Sequence, residues 1–261
     1  MNEEPGLRLS SFAVVVPMFN EEKGAERCVQ AIAAALAGMP RRTRLIVVDD
    51  GSSDRTLAAL NAVQKRLPSL EIVRHSENRG YGAALVTGGR RAAEFGFDYA
   101  IFMDSDLTNS PDDLVRFAAE MDNGADVIKA TRFGRCGRML GVPWQRALVS
   151  RIGNRIASAL FRLPLRDCTN GFRAVRTTLL TKMRLEERGF PVIVEELYWC
   201  RFLTSRFAEV PVTLINADRA SSFRYRPSVF AAYLRYPLRA FLGIAPRGLD
   251  AAPVSPTIND R

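Results

Sequence analysis

The sequence predicts an α/β fold with a mostly parallel sheet flanked by helices, and three observations carry that prediction. Continuous apolar runs, Phe12 to Val16, Leu45 to Val48 and Tyr99 to Met103, alternate with stretches of helical character. Such runs suit strands buried on both faces, the way crossover helices cover a parallel sheet. Polar groups also gather just past three of the runs: Pro17 to Glu21, Asp49-Asp50, and Asp104 to Asp106. Open α/β sheets bind ligands beyond the carboxyl ends of their strands, so these three ends could line one crevice.

Taken in order, the first run closes on Pro17, and Met18-Phe19-Asn20-Glu21-Glu22 leads into a helical stretch. The second ends in Asp49-Asp50-Gly51-Ser52-Ser53-Asp54. The plain reading there is a turn with Asp54 capping a helix that starts at Arg55. A third run, Leu70 to Arg74, precedes the loop Ser76 to Gly82. Its Gly80-Tyr81-Gly82 lacks the third glycine and the downstream acid of a dinucleotide fingerprint, and reads as close backbone packing with phosphate contact. Asp104-Ser105-Asp106 is the most informative segment. Strand periodicity sends residues i and i+2 to one side, so the two carboxylates can converge while Ser105 points away. Paired carboxylates suit Mg²⁺ or Mn²⁺ completed by water and substrate phosphates. The same tripeptide also makes ordinary turns; the two earlier strand ends are what raise it above that.

At 261 residues the chain can bury a full core as one domain. Glu3 and Glu4 precede Pro5, so the N-terminus lacks the basic and apolar regions of a signal peptide. No uninterrupted apolar stretch reaches the ~18 residues of a spanning helix. Cys28, Cys136, Cys168 and Cys200 are scattered without metal-type pairing, which fits a reduced cytosolic compartment. The single histidine, His75, excludes His-rich zinc sites and reads as a loop residue without a chemical role.

The net charge of +9 is unevenly placed. Residues 1–126 carry an acidic excess, 14 Lys/Arg against 19 Asp/Glu. Residues 127–166 hold nine cations and no acid, and residues 219–249 hold six arginines and no acid. An anionic partner for the second half follows. Within Trp144 to Leu163, Leu148, Ile152, Ile156 and Leu160 form an i, i+4 apolar stripe, with Arg151, Arg155 and Arg162 on another face. Residues 226–247 interleave arginines with Phe230, Tyr233, Leu234, Tyr236, Phe241 and Leu242, the composition of an interfacial anchor. Pro237 is expected to kink a helix there, and the proline-containing tail after Pro246 to be disordered. Three segments result: a catalytic domain over 1–218, a basic amphipathic membrane-interface segment over 219–247, and a tail over 248–261. No nucleic-acid motif appears.

The strings VVVPMFNEE, IVVDDGSSDRT, NRGYGAAL and FMDSDLTNSPDDL resemble, in order and spacing, the inverting glycosyltransferases of family 2. KATRF, RALVSRIGN, DCTNGFRA, VEEL and EVPV look most like the dolichol-phosphate mannose synthases and their bacterial polyprenyl-phosphate relatives. The resemblance covers roughly residues 12 to 215 and implies a GT-A fold. It also implies a nucleoside diphosphate sugar donor, GDP- or UDP-linked, and a polyprenyl phosphate acceptor. The expected location is peripheral, on the inner face of the cytoplasmic membrane at an anionic surface, with room for a membrane-protein partner.

Carried over residue by residue, the resemblance assigns Pro17, Phe19, Glu21, Val48 and Asp50 to the nucleoside pocket, with Asp104 and Ser105 beside the donor. A carboxylate such as Asp50 can accept from a base N–H, and Phe19 can pack on a base face. Asp104 and Asp106 would hold the metal. Thr108 stands where relatives often have a glutamine, and its hydroxyl could hold a metal-bound water. Arg132, Arg146 and Ser150 match the segments associated with the lipid phosphate. Asn170 stands where a serine is commoner, in a loop expected to precede a helix. A phosphate acceptor is already ionised near neutral pH, its second pKa being ~6, and needs no general base. A hydroxyl acceptor on a lipid, glycan or small molecule would need one, and Glu195 and Glu196 are available. Glu196 is expected to orient groups in the active site, or simply to start a helix. A non-catalytic nucleotide-sugar-binding module is the remaining alternative, opposed by the intact Asp104 and Asp106.

Overall fold

The computed structural model describes residues 9–134, 136–215, 227–249, 254, 257 and 258. The predicted runs become β1 (Phe12–Met18), β2 (Thr43–Asp49), β3 (Leu70–Arg74) and β4 (Tyr99–Phe102). Between them lie α1 (Ala25–Ala37), α2 (Thr56–Gln64) and α3 (Tyr81–Glu94). A 3-10 turn then leads into α4 (Leu114–Asp122), β5 (Val127–Thr131) and β6 (Arg138–Leu140). Next come α5 (Trp144–Phe161), β7 (Arg173–Arg176), α6 (Thr177–Leu180) and α7 (Val192–Leu203). The chain continues through β8 (Arg206–Pro211), β9 (Thr213–Ile215), α8 (Pro227–Phe241) and β10 (Thr257–Ile258).

Among the described residues the main sheet runs β10-β8-β5-β7-β4-β1-β2-β3, and β6 pairs with β9 at its side. Every neighbour in the main sheet is parallel except β7, which is antiparallel to both β4 and β5. The chain moves outward from β1 to β2 and β3, then returns to the other side of β1 with β4. That reversal opens a crevice at the carboxyl ends of β1 and β4, where ligands bind in this architecture. Alternate residues of β1 enter different cores: Val14 and Val16 pack with α1 and α4, while Ala13 and Val15 pack on the side of α3 and α7. Burial of both strand faces explains the unbroken apolar runs.

Several expectations need correction. The loop Asp167 to Phe172 precedes a strand, β7, rather than a helix. Because β7 runs antiparallel, this loop arrives at the carboxyl ends of β4 and β5, inside the crevice. Pro237 lies within α8, the helix in which a kink was expected. The inner side of α8 is packed, with Tyr236 and Ala240 in the core and Tyr198 Oη donating to Ile244 O at 2.7 Å. Residues 216–226, with three of the six arginines of 219–247, lie outside the described residues. The tail expected to be disordered is anchored at two points: Val254 N donates to Arg201 O, and Thr257–Ile258 pairs with β8. Its other residues beyond Leu249 lie outside the described ones.

Candidate active site

On the donor side, β1 and β2 bring their ends together as the sequence implies. Pro17 and Val48 are buried inside the strands, whereas Phe19 stands 44 % exposed at the rim. Asn20, in the left-handed region at φ 55°, ties β1 to the β2 loop. Its amide N donates to Ser52 Oγ, and its Oδ1 accepts from Ser53 N. Glu21 N donates to Thr56 Oγ1 at 2.7 Å, and Asp54 accepts from the N–H and hydroxyl of Thr56, the first residue of α2, whose N-cap is Arg55 rather than the expected Asp54. Asp50 is buried, and its carboxylate accepts from His75 Nδ1 (2.6 Å), Arg79 N (2.9 Å) and Gly80 N (2.8 Å). It therefore anchors the loop that opens α3. His75 is not a loose loop residue: it is 5 % exposed and bridges Asp50 to Thr87 Oγ1 at 2.9 Å. That placement lets a lone imidazole fix the far side of Asp50.

Gly82 shows how tightly this loop is held. A Cβ there would lie 1.9 Å from Glu187 O, so only glycine allows the two backbones to meet, with Gly82 N donating to Arg188 O at 2.7 Å. The close backbone packing expected of Gly80-Tyr81-Gly82 is present. Tyr81 has a use that sequence reasoning missed. Its ring packs on Phe190 with centroids 4.7 Å apart, and its hydroxyl donates to Asp104 Oδ1 at 2.9 Å.

Asp104 and Asp106 follow β4 directly. Burial and then the neighbouring Asp106 push the Asp104 carboxyl above its usual range. Asp106 Oδ1 accepts from Thr108 N at 3.0 Å and Thr108 Oγ1 at 2.9 Å, around Leu107 in the left-handed region at φ 57°. That backbone state costs a non-glycine residue about 1–2 kcal/mol, and the Asp106–Thr108 turn holds it. Thr108 thus spends its hydroxyl proton orienting Asp106, and its oxygen keeps lone pairs that can accept. Gly171, from the β7 loop, leaves the space beside Asp104 open; a Cβ there would lie 3.0 Å from Asp104 Oδ2 and 3.2 Å from the Tyr81 hydroxyl. Among the described residues no cluster of three His, Cys, Asp or Glu forms. Two carboxylates with a cradle beside them fit a hard cation that completes its shell with water and phosphate oxygens. Ser105 sits between them, half-buried.

The other side of the crevice, where the resemblance put the acceptor, is built from buried ion pairs. Arg132 meets Asp167 side-on, Nε to Oδ2 at 2.7 Å and Nη2 to Oδ1 at 2.8 Å, and also donates to Thr169 Oγ1 at 2.9 Å. Burial alone would raise the Asp167 carboxyl, but the Arg132 guanidinium outweighs it and holds the group below its usual range. The expected free cation at Arg132 is therefore a compensated one. Asn154 of α5 pins the same loop, its Oδ1 accepting from Cys168 N (2.7 Å) and Thr169 N (3.2 Å). Arg146 and Ser150 occupy the preceding turns of that helix, Arg146 exposed and Ser150 half-buried. Glu196, expected among the reacting groups, is 1 % exposed and held by Arg173, Nε to Oε1 at 2.6 Å and Nη2 to Oε2 at 2.9 Å. Glu195 accepts from the backbone N–H groups of Glu186 and Glu187. Neither carboxylate stands open to a substrate proton.

Sequence reasoning gave no role to Arg173, Asp167, Asn154 or Lys129. Lys129 of β5 is fully buried, donates to Asn170 O at 2.5 Å, and is pushed down to about 8, first by burial and then by Arg173. One signal was available: charged residues inside apolar segments, Lys129 in Val127-Ile128-Lys129-Ala130 and Arg173 in Phe172-Arg173-Ala174-Val175. A buried charge needs a partner, and the remaining acids nearby are Asp167 and Glu196.

A mostly parallel sheet with a two-carboxylate crevice at its switch point defines a nucleotide-sugar transferase of the GT-A class. Residues 13–184 match the model of Glycosyl transferase family 2, and the chain belongs to that family. It is 28 % identical over 227 residues to the dolichol-phosphate mannosyltransferase of Pyrococcus furiosus, covering 86 % of this chain but 62 % of that one. The polyprenol monophosphomannose synthase of Mycolicibacterium smegmatis is also 28 % identical, with 83 % of each chain covered. The undecaprenyl-phosphate mannosyltransferase of Micrococcus luteus is 27 % identical over 80 % of this chain and 85 % of its own. Among solved structures, the glucosyl-3-phosphoglycerate synthase of Mycobacterium tuberculosis with Mn²⁺, UDP and phosphoglyceric acid has a TM-score of 0.65 at 21 % identity. That match covers 97 % of this chain and 93 % of the other, and it establishes the GT-A fold.

Proposed function

We propose that this enzyme transfers one sugar, with inversion, from a nucleoside diphosphate sugar to a polyprenyl phosphate at the cytoplasmic face of a membrane. The relatives' names support mannose as the sugar. The observation that carries the acceptor class is the state of Glu196. A carboxylate buried and clamped bidentate by Arg173 is an ion-pair partner, not a base poised to take a hydroxyl proton. A phosphate oxygen needs no such base.

Asp104 and Asp106 would hold Mg²⁺ or Mn²⁺, which would supply Lewis-acid stabilisation of the charge on the leaving diphosphate. The chain's own residues do the rest. Phe19, at the rim, covers the base, and Pro17, Val48 and the Asp50-anchored loop shape the nucleoside pocket with Glu21. Ser105 lies beside the diphosphate. Arg146 is exposed one turn from Ser150, so both can receive the acceptor phosphate as it enters. Arg132, locked to Asp167 and Thr169, holds the β7 loop against Asp104 and aligns the phosphate for attack at the anomeric carbon.

The test is kinetic, on a polyprenyl phosphate and on the corresponding alcohol. Arg132→Ala is expected to weaken use of the phosphate roughly tenfold to hundredfold, the loss of a charge-assisted contact of ~1.5–3 kcal/mol, with donor binding near normal. Glu196→Gln is expected to keep appreciable turnover per folded molecule. Transfer to the alcohol at a comparable rate, together with a loss of ~10² or more in Glu196→Gln, would establish a hydroxyl acceptor instead.

A further inference from the structure

Between α3, α6 and α7 lies a cavity of about 140 Å³. Its inner end is walled by Leu85 and Phe102, each buried, and by the buried carboxylate of Glu196. Its mouth is bordered by exposed Arg90 of α3 and exposed Thr181 at the end of α6. α3 brings two consecutive glycines to this region, for different reasons. Gly88 is forced, since a Cβ there would lie 2.2 Å from Val15 Cγ1. Gly89 is crowded only mildly: a Cβ would meet Leu180 Cδ1 and Phe102 Cζ at 3.3 Å, and both side chains are cavity walls. A glycine inside a helix costs about 1 kcal/mol relative to alanine. At Gly89 it keeps those two walls apart.

We infer that this cavity is a binding site for a small amphiphilic carboxylate, one aromatic ring or short branched chain with its single acid group at Arg90. Size sets the apolar part: a dry cavity of ~150 Å³ lined by aliphatic and aromatic side chains holds one benzene. Charge sets the orientation. Glu196, at the inner end, is already held by Arg173 through two hydrogen bonds of 2.6 and 2.9 Å, so a second anion has nothing to meet there. At the mouth, Arg90 has no ion-pair partner among the described residues, and its guanidinium can take a carboxylate side-on. A cation of the same size would face that arginine on entry, and a neutral ring would leave it unused. The site is separate from the Asp104–Asp106 crevice and needs neither metal nor sugar nucleotide for its occupation. Glu196 and Arg173 stand between the two, with Arg173 Nη1 donating to Gly171 O at 2.8 Å. An occupant therefore packs one ion pair away from the loop that leaves space beside Asp104.

The experiment is thermal melting of the full chain with phenylacetate, and with acetate and benzyl alcohol as probes that lack the ring or the acid. Phenylacetate is expected to raise Tm with a dissociation constant of about 1 mM or below. Acetate should have no effect, and benzyl alcohol should bind ~3- to 5-fold more weakly than phenylacetate, the difference an exposed ion pair makes. Arg90→Gln, at an exposed position, should bring phenylacetate down to the level of benzyl alcohol and leave benzyl alcohol unchanged. Val86→Phe, which puts a ring into the cavity from α3, should abolish both responses. Excess UDP with Mn²⁺ should displace neither probe. Phenylacetate that binds both variants as it binds wild type, or that UDP with Mn²⁺ displaces, is held in the crevice and overturns the inference. So does the absence of any shift at about tenfold the expected dissociation constant. Benzyl alcohol matching phenylacetate in wild type removes the acid from the assignment and overturns it equally. Should Val86→Phe not fold, Arg90→Gln alone decides.

Discussion

The two halves of this molecule both bury apolar residues but treat charge differently. From β1 to α4 the pattern is ordinary: Val, Ile and Leu are inside, and the polar residues gather at strand ends. From β5 onward, arginine and lysine go inside. Arg173 and Lys129 are fully buried, and Arg132 is locked to a buried Asp167, while Leu148, Ile152 and Ile156 face outward. The first half gathers its polar groups at strand ends; the second pairs charges in its interior and leaves an apolar stripe on α5 exposed. Its buried pairs are not chiefly a source of stability, because desolvation offsets most of their attraction. They fix the position of the β7 loop, and through Gly171 the space beside Asp104.

Breaking the donor half should give the largest effect. Asp106→Asn keeps the Thr108 turn, since an amide oxygen can still accept from Thr108 N, but removes a carboxylate from the two-carboxylate cradle. Transfer is expected to fall by ~10²–10³, the range seen when a group stabilising a developing charge is lost. The melting temperature should stay near wild type. Full activity in this variant, or wild-type activity undiminished by excess chelator, would sink the role given to Asp106.

The same contrast explains what was legible beforehand. The three donor strand ends could be read because apolar continuity, strand periodicity and turn chemistry are local and agree with one another. β7 could not, because a strand of Arg-Ala-Val-Arg gains its burial from partners far along the chain: Glu196 lies 23 residues from Arg173 and Asp126 lies 50 from Arg176. Nor was the direction of α5 legible. A period of four places Leu148, Ile152 and Ile156 on one face but does not say whether that face meets the core. Asn154, opposite the stripe, was the available sign, since a lone amide can mark the buried line of a helix whose apolar side faces outward. His75 was misread for a similar reason: its partners, Asp50 and Thr87, come from β2 and α3.

A smaller effect is expected at the seam between the halves. Tyr81 links the loop that Asp50 anchors to Asp104, and Phe190 backs its ring. Tyr81→Phe keeps that packing and removes one hydroxyl. Asp104 then loses the donor that fixes its orientation, and the concentration of Mn²⁺ for half-maximal activity should rise ~10-fold, as a hydrogen bond to a carboxylate of ~1.5 kcal/mol would give. The kcat at saturating metal should change little. An unchanged metal requirement would mean that Asp104 is oriented by the backbone alone.

The smallest effect tests whether charge burial in the second half is as costly as the geometry implies. Lys129 is pushed down to about 8 in the folded protein, against ~10.4 in an unfolded chain. Between these values the unfolded state binds more protons, so this group makes stability rise with pH across that window. Below about 8 both states carry the charge, and the folded state bears the full cost of burying it. Lys129→Met removes the titration. It also leaves Asn170 O without its donor, so the absolute stability of the variant is ambiguous and the pH slope is the readout. Denaturant melts at pH 7, 8, 9 and 10 should show the variant's stability relative to wild type declining as pH rises through the window. The slope is at most ~1.4 kcal/mol per pH unit, one proton's worth, and smaller if Asp167 and Glu196 share the charge. A difference that stays flat across the series would mean Lys129 keeps its proton in the fold, with those two carboxylates compensating it fully.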